Sequence, residues 1–397
     1  MSRWPTVPLG ELCSVIAGGT PARAVSSYYG GSIPWVKIGD MLQGEVSRTQ
    51  ETITESGLEN STAKLLPAGT VLISIFATIG RTAILDVEAA TNQAIAGLTP
   101  YDPEILLPKY LRRYLDSTVE QLSAQARGVA QVNINSKILK KIKIPLPPPD
   151  AQRSVLAILG RADELRAKRR QAIALLDDLT RSIFLDMFGD PVSNIRSWPV
   201  AILGDLLSGI TSGKSPTCLD RSARVGEWGV LKLGAITRCV YQPSENKALP
   251  PNTSPDERFE VHPGDVLFSR KNTRELVAAS AFVEETPAKL LLPDLIFRFE
   301  IREDAPLIPH YLHRLLIQPS QRCKIQDLAG GSAASMLNIS KNRLSRVEIP
   351  LPPADLQREF SERILMIEKL IKSHNVDLGK LDRLFASLQQ RAFRNEL

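Results

Sequence analysis

Cysteine is scarce in this chain. Cys13, Cys218, Cys239 and Cys323 stand singly in 397 residues, with no CxxC spacing. Isolated thiols supply neither a disulfide framework nor a zinc-ligand set, and they fit a reduced intracellular setting. Long apolar runs are missing as well. The best candidate, Val71 to Ala77, falls far short of a membrane span and suits a buried strand. The opening Met1-Ser2-Arg3-Trp4-Pro5 has no apolar signal region. A soluble, cytoplasmic protein with no membrane partner is expected. Catalytic signatures are equally thin. There is no Gly-x-Ser-x-Gly elbow, no Asp/Asn-Pro-Pro-aromatic motif of the kind that holds a base for amino-methylation, and no nuclease-like carboxylate–lysine cluster.

Two motifs invite a chemical reading and fail it. Gly209 to Ser215 (Gly-Ile-Thr-Ser-Gly-Lys-Ser) resembles a phosphate-binding loop, but only three residues separate the glycines and Pro216 follows at once. A phosphate cradle needs four, with a helix after the lysine. His310 and His313 have metal-ligand spacing on a helix but no accompanying thiol or carboxylate set. Lys109 and Arg112 hold the equivalent places in the first half, so a solvated or phosphate-facing surface is expected there. No metal and no catalytic residue is assigned.

What the chain does have is basic charge and repetition. The formal charge is +6 and the sequence pI about 9.1, which favours a polyanionic partner. Lys137, Lys140, Lys141 and Lys143 form one cluster and Lys341, Arg343 and Arg346 a second, and Lys214 stands alone on its loop. All are candidates for DNA phosphate contact. Arg270-Lys271-Asn272-Thr273-Arg274 follows an expected strand, and Arg and Asn there can address guanine and adenine edges. Arg81, after Gly80, occupies the comparable region of the first half.

The repeat is long. Ile144 to Arg153 (IPLPPPDAQR) returns 205 residues later as Ile349 to Arg358 (IPLPPADLQR), with eight of ten positions identical. Earlier landmarks match as well: Trp4-Pro5 with Trp198-Pro199, Gly19-Thr20-Pro21 with Lys214-Ser215-Pro216, Lys37 with Lys232, Pro108 to Arg113 with Pro309 to Arg314, and Asn133-Ile134 with Asn338-Ile339. Two equivalent halves follow. The prolines favour an extended, stiff linker, and Asp150 and Asp355 are expected as helix N-caps. After each proline run apolar residues recur at spacings of four and three. In the second half they are Phe360, Ile364, Ile367, Ile371, His374, Leu378, Leu381, Phe385 and Leu388. In the first they are Val155, Leu159, Ala162, Arg166, Arg169, Ile173, Leu176, Thr180, Ile183 and Met187, with Ile158, Leu165, Ala172 and Leu179 widening the stripe. Such seams ask for a partner helix, and the economical partner is the other repeat.

The expected architecture is therefore α+β (mixed α/β): two similar globular domains and two long helices forming an antiparallel coiled coil, with an internal pseudo-two-fold repeat. The segments are 1–145 (first globular domain), 146–190 (linker and central helix), 191–350 (second globular domain) and 351–397 (linker and C-terminal helix). This plan, with the Pro-Leu-Pro-Pro-x-x-x-Gln motif at Pro145–Gln152 and Pro350–Gln357, resembles the specificity subunits of type I restriction-modification systems over essentially the whole chain. The resemblance implies two target recognition domains, each reading half of a bipartite asymmetric site on double-stranded DNA. It implies a helical spacer that sets half-site separation and docks two modification methyltransferase subunits, which carry S-adenosylmethionine, together with restriction/translocase subunits. It implies no cofactor and no catalysis in this chain. A specificity subunit of a related type II system and a non-DNA coiled-coil adaptor are the alternative readings.

Overall fold

The computed structural model describes residues 4–76, 78–127, 134–330, 336–394 and 396, and the side chains of 119–127 lie outside that description. The sequence landmark Asn133 is among the residues not described. The chain divides into two compact units. Unit 1 is Met1–Arg170 with Val376–Leu397, and unit 2 is Gln171–Asn375. Each unit is a globular body plus a stretch of both long helices.

The unit 1 body holds a five-stranded sheet in the order Cys13–Ala17, Ile95–Pro100, Val71–Ser74, Thr82–Leu85, Glu45–Val46. Its pairs are antiparallel except the last. A four-stranded sheet runs Glu51–Ile53, Tyr29–Val36, Ala89–Thr91, Leu65–Leu66. The apolar run at Val71 is continuous because both faces of its strand are covered. Val71 and Ile73 pack with Tyr110, Leu111 and Leu115 of helix Pro108–Arg127, while Leu72 packs on the opposite face with Val36, Met41 and Leu85.

Unit 2 repeats this logic with different lengths. Its four-stranded antiparallel sheet runs Leu207–Ser212, Ile296–Ile301, Val266–Ser269, Ser280–Phe282. Val266 and Phe268 face the core built on Tyr311, Leu312 and Leu315, and Leu267 faces the other side with Val261 and Ile296. A three-stranded sheet pairs Asn246–Ala248, Gly229–Leu231 and Leu290–Leu291.

The repeated proline motif closes each body. Thr6–Pro8 pairs antiparallel with Lys143–Pro145, and Val200–Ile202 pairs likewise with Glu348–Pro350. The first proline of each motif therefore ends a strand. The remaining prolines run directly into the helices, which span Pro149–Phe188 and Ala354–Arg394. Asp150 and Asp355 lie one residue inside these helices rather than at the N-cap. There each bonds the arginine three residues ahead, Arg153 or Arg358, and its charge faces the positive end of the helix dipole.

The motif's glutamine has a structural purpose that the sequence did not disclose. Gln152 is fully buried. Its Nε2 donates to Ile105 O (2.7 Å) and Pro147 O (2.9 Å), and its Oε1 accepts from Leu107 N at 3.0 Å. Gln357 does the same with Pro306 O (2.9 Å), Pro352 O (2.7 Å) and Ile308 N (2.9 Å). Each glutamine ties the first turn of a long helix to the loop that precedes its own body's helix. Tyr110 and Tyr311 add a matching bond, donating to Pro145 O and Pro350 O at 3.1 and 3.0 Å.

The helices pair antiparallel within each unit. In unit 1 Phe385, Leu388 and Ala392 pack against a core that includes Val155 and Leu159. The polar break in the central seam has acidic partners. Arg166 donates to Asp382 (2.6 Å) and Asp163 (2.7 Å), with its guanidinium 4.3 Å over the Phe385 ring, and Arg169 lies 3.8 Å from Asp377. In unit 2 the seam is aromatic: Phe184 and Phe188 each meet both Tyr311 and Phe360, with ring centroids 4.9–5.9 Å apart. Ile364 is buried beside them, and Ile367 and Ile183 are half-buried. Ile173, Leu176, Ile371, Leu378 and Leu381 are half-buried along the helices. Ile158, Leu165 and Leu179 depart from expectation. They are 40%, 54% and 46% exposed, because they form a second stripe rotated away from the seam.

Candidate nucleic-acid interface

The small-residue loops that mimic a phosphate cradle are points of close backbone approach. A Cβ on Gly18 would stand 2.2 Å from Asn92 O, and one on Gly213 only 1.8 Å from Leu292 O. Glycine is required at both for packing. These contacts press each loop against the turn that leads into a central strand, with Gly19 N donating to Thr91 O (2.9 Å) and Gly213 N to Pro293 O (3.1 Å). On the outer side of each junction sits an exposed side-chain pair. Thr20 Oγ1 donates to Gln93 Oε1, and Ser215 Oγ donates to Asp294 Oδ1.

A third loop joins this edge at equivalent positions. Ile75 N donates to Ala94 O and Ile134 N to Ile75 O; in unit 2, Arg270 N donates to Leu295 O and Ile339 N to Arg270 O. The same backbone frame thus carries Ile75 in one unit and Arg270 in the other.

In unit 2 the structure gathers several of the sequence candidates here. The Arg270 guanidinium bonds Asn338 Oδ1 (3.1 Å) and Asp294 O (3.4 Å) and lies 5.2 Å over the Phe297 ring. Lys341 Nζ lies 5.6 Å from the same ring. Lys271 and Asn272 form a short strand with Leu337–Asn338, and Asn272 Oδ1 accepts from Thr273 N. Lys214, beside Ser215, is exposed and reaches Asp256 at 3.5 Å. Arg274 pairs with Asp327 at 3.0 Å, while Arg343 donates to Leu328 O at 2.8 Å and lines a cavity of about 270 Å³ with Arg346 and Lys324.

In unit 1, Lys137, Lys140, Lys141 and Lys143 are exposed on and beside the short helix Ser136–Lys141. Arg81 is half-buried, donating to Ile38 O at 3.3 Å. It shares a cleft of about 390 Å³ with Gly44, Thr78 and Arg112. Arg112 donates to Thr82 Oγ1 at 3.4 Å and lies 4.0 Å from Asp116. Burial pushes the Asp116 carboxyl above its ordinary range, against the pull of the Thr82 hydroxyl and the two neighbouring arginines. Arg112 was visible only as a repeat partner of His313; its place in the cleft depends on contacts distant in sequence.

His310 and His313 correct the expectation of a solvated surface, since both are 4% exposed. Their helix, Pro309–Leu316, is covered by strand Ser280–Phe282 and by the C-terminal helix, whose Glu368 bonds His310 Nε2 at 3.1 Å and also pairs with Arg314. No cluster of three or more metal-ligating side chains occurs among the described residues. None of the described helices is long and apolar enough to cross a membrane.

Comparisons with known proteins fit this geometry. Residues 1–175 match the family described as the type I restriction modification DNA specificity domain. The EcoEI type I restriction enzyme specificity subunit of Escherichia coli is 33% identical over 161 residues, 40% of this chain and 27% of that protein. The MjaIX specificity subunit of Methanocaldococcus jannaschii is 26% identical over 231 residues, 54% of each chain. The alignments thus span from about a quarter to about half of these relatives' lengths. The solved S subunit of a type I restriction-modification system from M. genitalium shares the fold, with a TM-score of 0.55 at 14% identity over 99% of this chain and 96% of that one. Residues 1–175 are thus similar to the type I restriction modification DNA specificity domain, and the duplicated fold with its paired long helices is shared with a solved type I S subunit.

Proposed function

We propose that this chain is the DNA-reading, non-catalytic subunit of a type I restriction-modification complex, each unit reading one half of a bipartite asymmetric site. The observation that carries this is the duplication itself. The two bodies share a backbone frame, down to Gly18/Gly213 and the bonds at Ile75/Arg270, yet present different side chains on the same edge. One frame used twice with different surfaces suits two related but unequal targets. The positive charge and the exposed lysines at 137, 140, 141 and 143 supply sequence-independent phosphate contact.

In this reading the central helix, 40 residues and about 60 Å long at ~1.5 Å per residue, sets half-site spacing with its partner. The exposed apolar residues Ile158 and Leu165 offer docking area for a modification subunit. Adenine methylation belongs to two such subunits, which bring S-adenosylmethionine; restriction/translocase subunits complete the complex, in the cytoplasm. The test is co-expression with the methyltransferase subunit encoded beside it, purification of the complex and mapping of methylated adenines in exposed DNA. A bipartite, asymmetric methylated site is the expected result. A stable complex with no site preference, or no complex at all, would overturn the reading.

A further inference from the structure

Resting on that reading, we propose that Gln93 and Asp294 are equivalent specificity-determining residues, each reading a base edge in the major groove for its own unit. Four observations converge. The two positions fall at the same place in the repeated frame, on the turn entering strands Ile95–Pro100 and Ile296–Ile301. Both side chains are exposed. Each is held by a hydroxyl from the facing loop, Thr20 to Gln93 and Ser215 to Asp294, and that loop is itself locked by a glycine in backbone contact. The acceptors differ in kind while the geometry around them is kept.

That difference has base-level meaning. A Gln amide offers a donor and an acceptor, the complement of adenine N7 and N6. A carboxylate only accepts, and matches the exocyclic amine of cytosine. A solvated surface pair needs neither an immobilised hydroxyl nor a glycine packed within van der Waals contact behind it. Preorganisation of this sort lowers the ordering cost of recognition. In unit 2 the carboxylate is flanked by cations that can hold the DNA backbone nearby: Lys214 adjoins Ser215, and Arg270 donates to the Asp294 carbonyl. The bases expected are an adenine opposite Gln93 and a cytosine opposite Asp294.

The experiment uses the full chain assembled with its modification subunits, comparing Gln93→Asp and Asp294→Gln with the parent by sequencing of methylated sites. Each exchange should alter preference at one position of one half-site, with discrimination there falling about 5- to 150-fold, and leave the other half-site as it was. Thr20→Val and Ser215→Ala form a second pair that keeps the reading side chain but frees it; they should relax the same positions without assigning a new base. Melting curves of every variant confirm that the frame is intact. Retention of the parent preference at all positions by folded, DNA-binding exchange variants overturns the assignment while leaving the proposed function standing. A parent complex that methylates no bipartite site overturns both.

Discussion

His313 sits where a charge is not tolerated. Burial, reinforced by the neighbouring Arg314 and His310, holds its imidazole well below the ordinary histidine range. Its folded pKa lies under the unfolded value of ~6.5, so the unfolded chain takes up the proton first. The neutral ring's contribution is complete above that value and is lost as pH falls below it. Glu368 is also sensitive. Burial alone would raise it, but its bonds with His310 and Arg314 hold it low, so its contribution falls away only in the carboxylate range. Between pH 7.5 and 5.5 the histidine therefore acts alone of the two. The melting temperature of unit 2 should drop across that interval, and His313→Leu should shrink the drop; a slope unchanged by the substitution would contradict this. Gln357 makes a sharper residue-scale case. Gln357→Ala removes three buried hydrogen bonds and strands Ile308 N, Pro306 O and Pro352 O, for an expected loss of about 2–4 kcal/mol by denaturant titration. Neither role was legible in the sequence. A glutamine or histidine carries no mark of its partners in the sequence, and two of the Gln357 partners, Pro306 and Ile308, lie about fifty residues away in the chain.

The long helices were legible because their apolar spacing persists for ten turns, and the prolines marked where they start. Which apolar residues face the seam was less so. Ile158 and Leu165 lie on the helix surface beside Val155, Leu159 and Ala162, and hydrophobicity alone does not say whether a residue's cover comes from its own chain or another. Burial separates residues covered by their own chain from those left exposed. Phe360 is fully buried against Phe184 and Phe188, whereas Ile158 and Leu165 face outward. Ile158→Glu with Leu165→Glu should therefore change the stability of the isolated chain by no more than about 0.5 kcal/mol yet abolish co-purification of the modification subunit. Loss of stability comparable to a core lesion, or undiminished complex formation, would remove this stripe from the docking surface. The aromatic seam supplies the contrast: Phe360→Ala, read by the same denaturation, should cost about 3–5 kcal/mol.

At the scale of the whole molecule the duplication was the strongest signal in the sequence, and it predicted two similar mixed α/β bodies and two long helices, though not the two-stranded ribbons that close each body. The sequence concealed the composition of the compact units. Val376–Leu397 belongs with the first body, where Phe393 meets Tyr110 and Tyr114 edge-on at 5.5 and 5.2 Å. This bears on how the halves can be exchanged. A graft replacing residues 1–145 with the corresponding domain of a type I specificity subunit keeps Gln152 and Phe393 in place. It must therefore supply the tyrosines and the loop carbonyl that these residues grip. A graft retaining those features should fold and redirect methylation in one half-site only. One that substitutes alanine for Tyr110 and Tyr114 should melt earlier in unit 1 while unit 2 holds its transition, because the aromatic contacts lie within unit 1. Mapping methylated sites alongside differential scanning calorimetry separates the two outcomes: a change in both half-sites would defeat modular reading, and a common shift of both transitions would defeat the independence of the units.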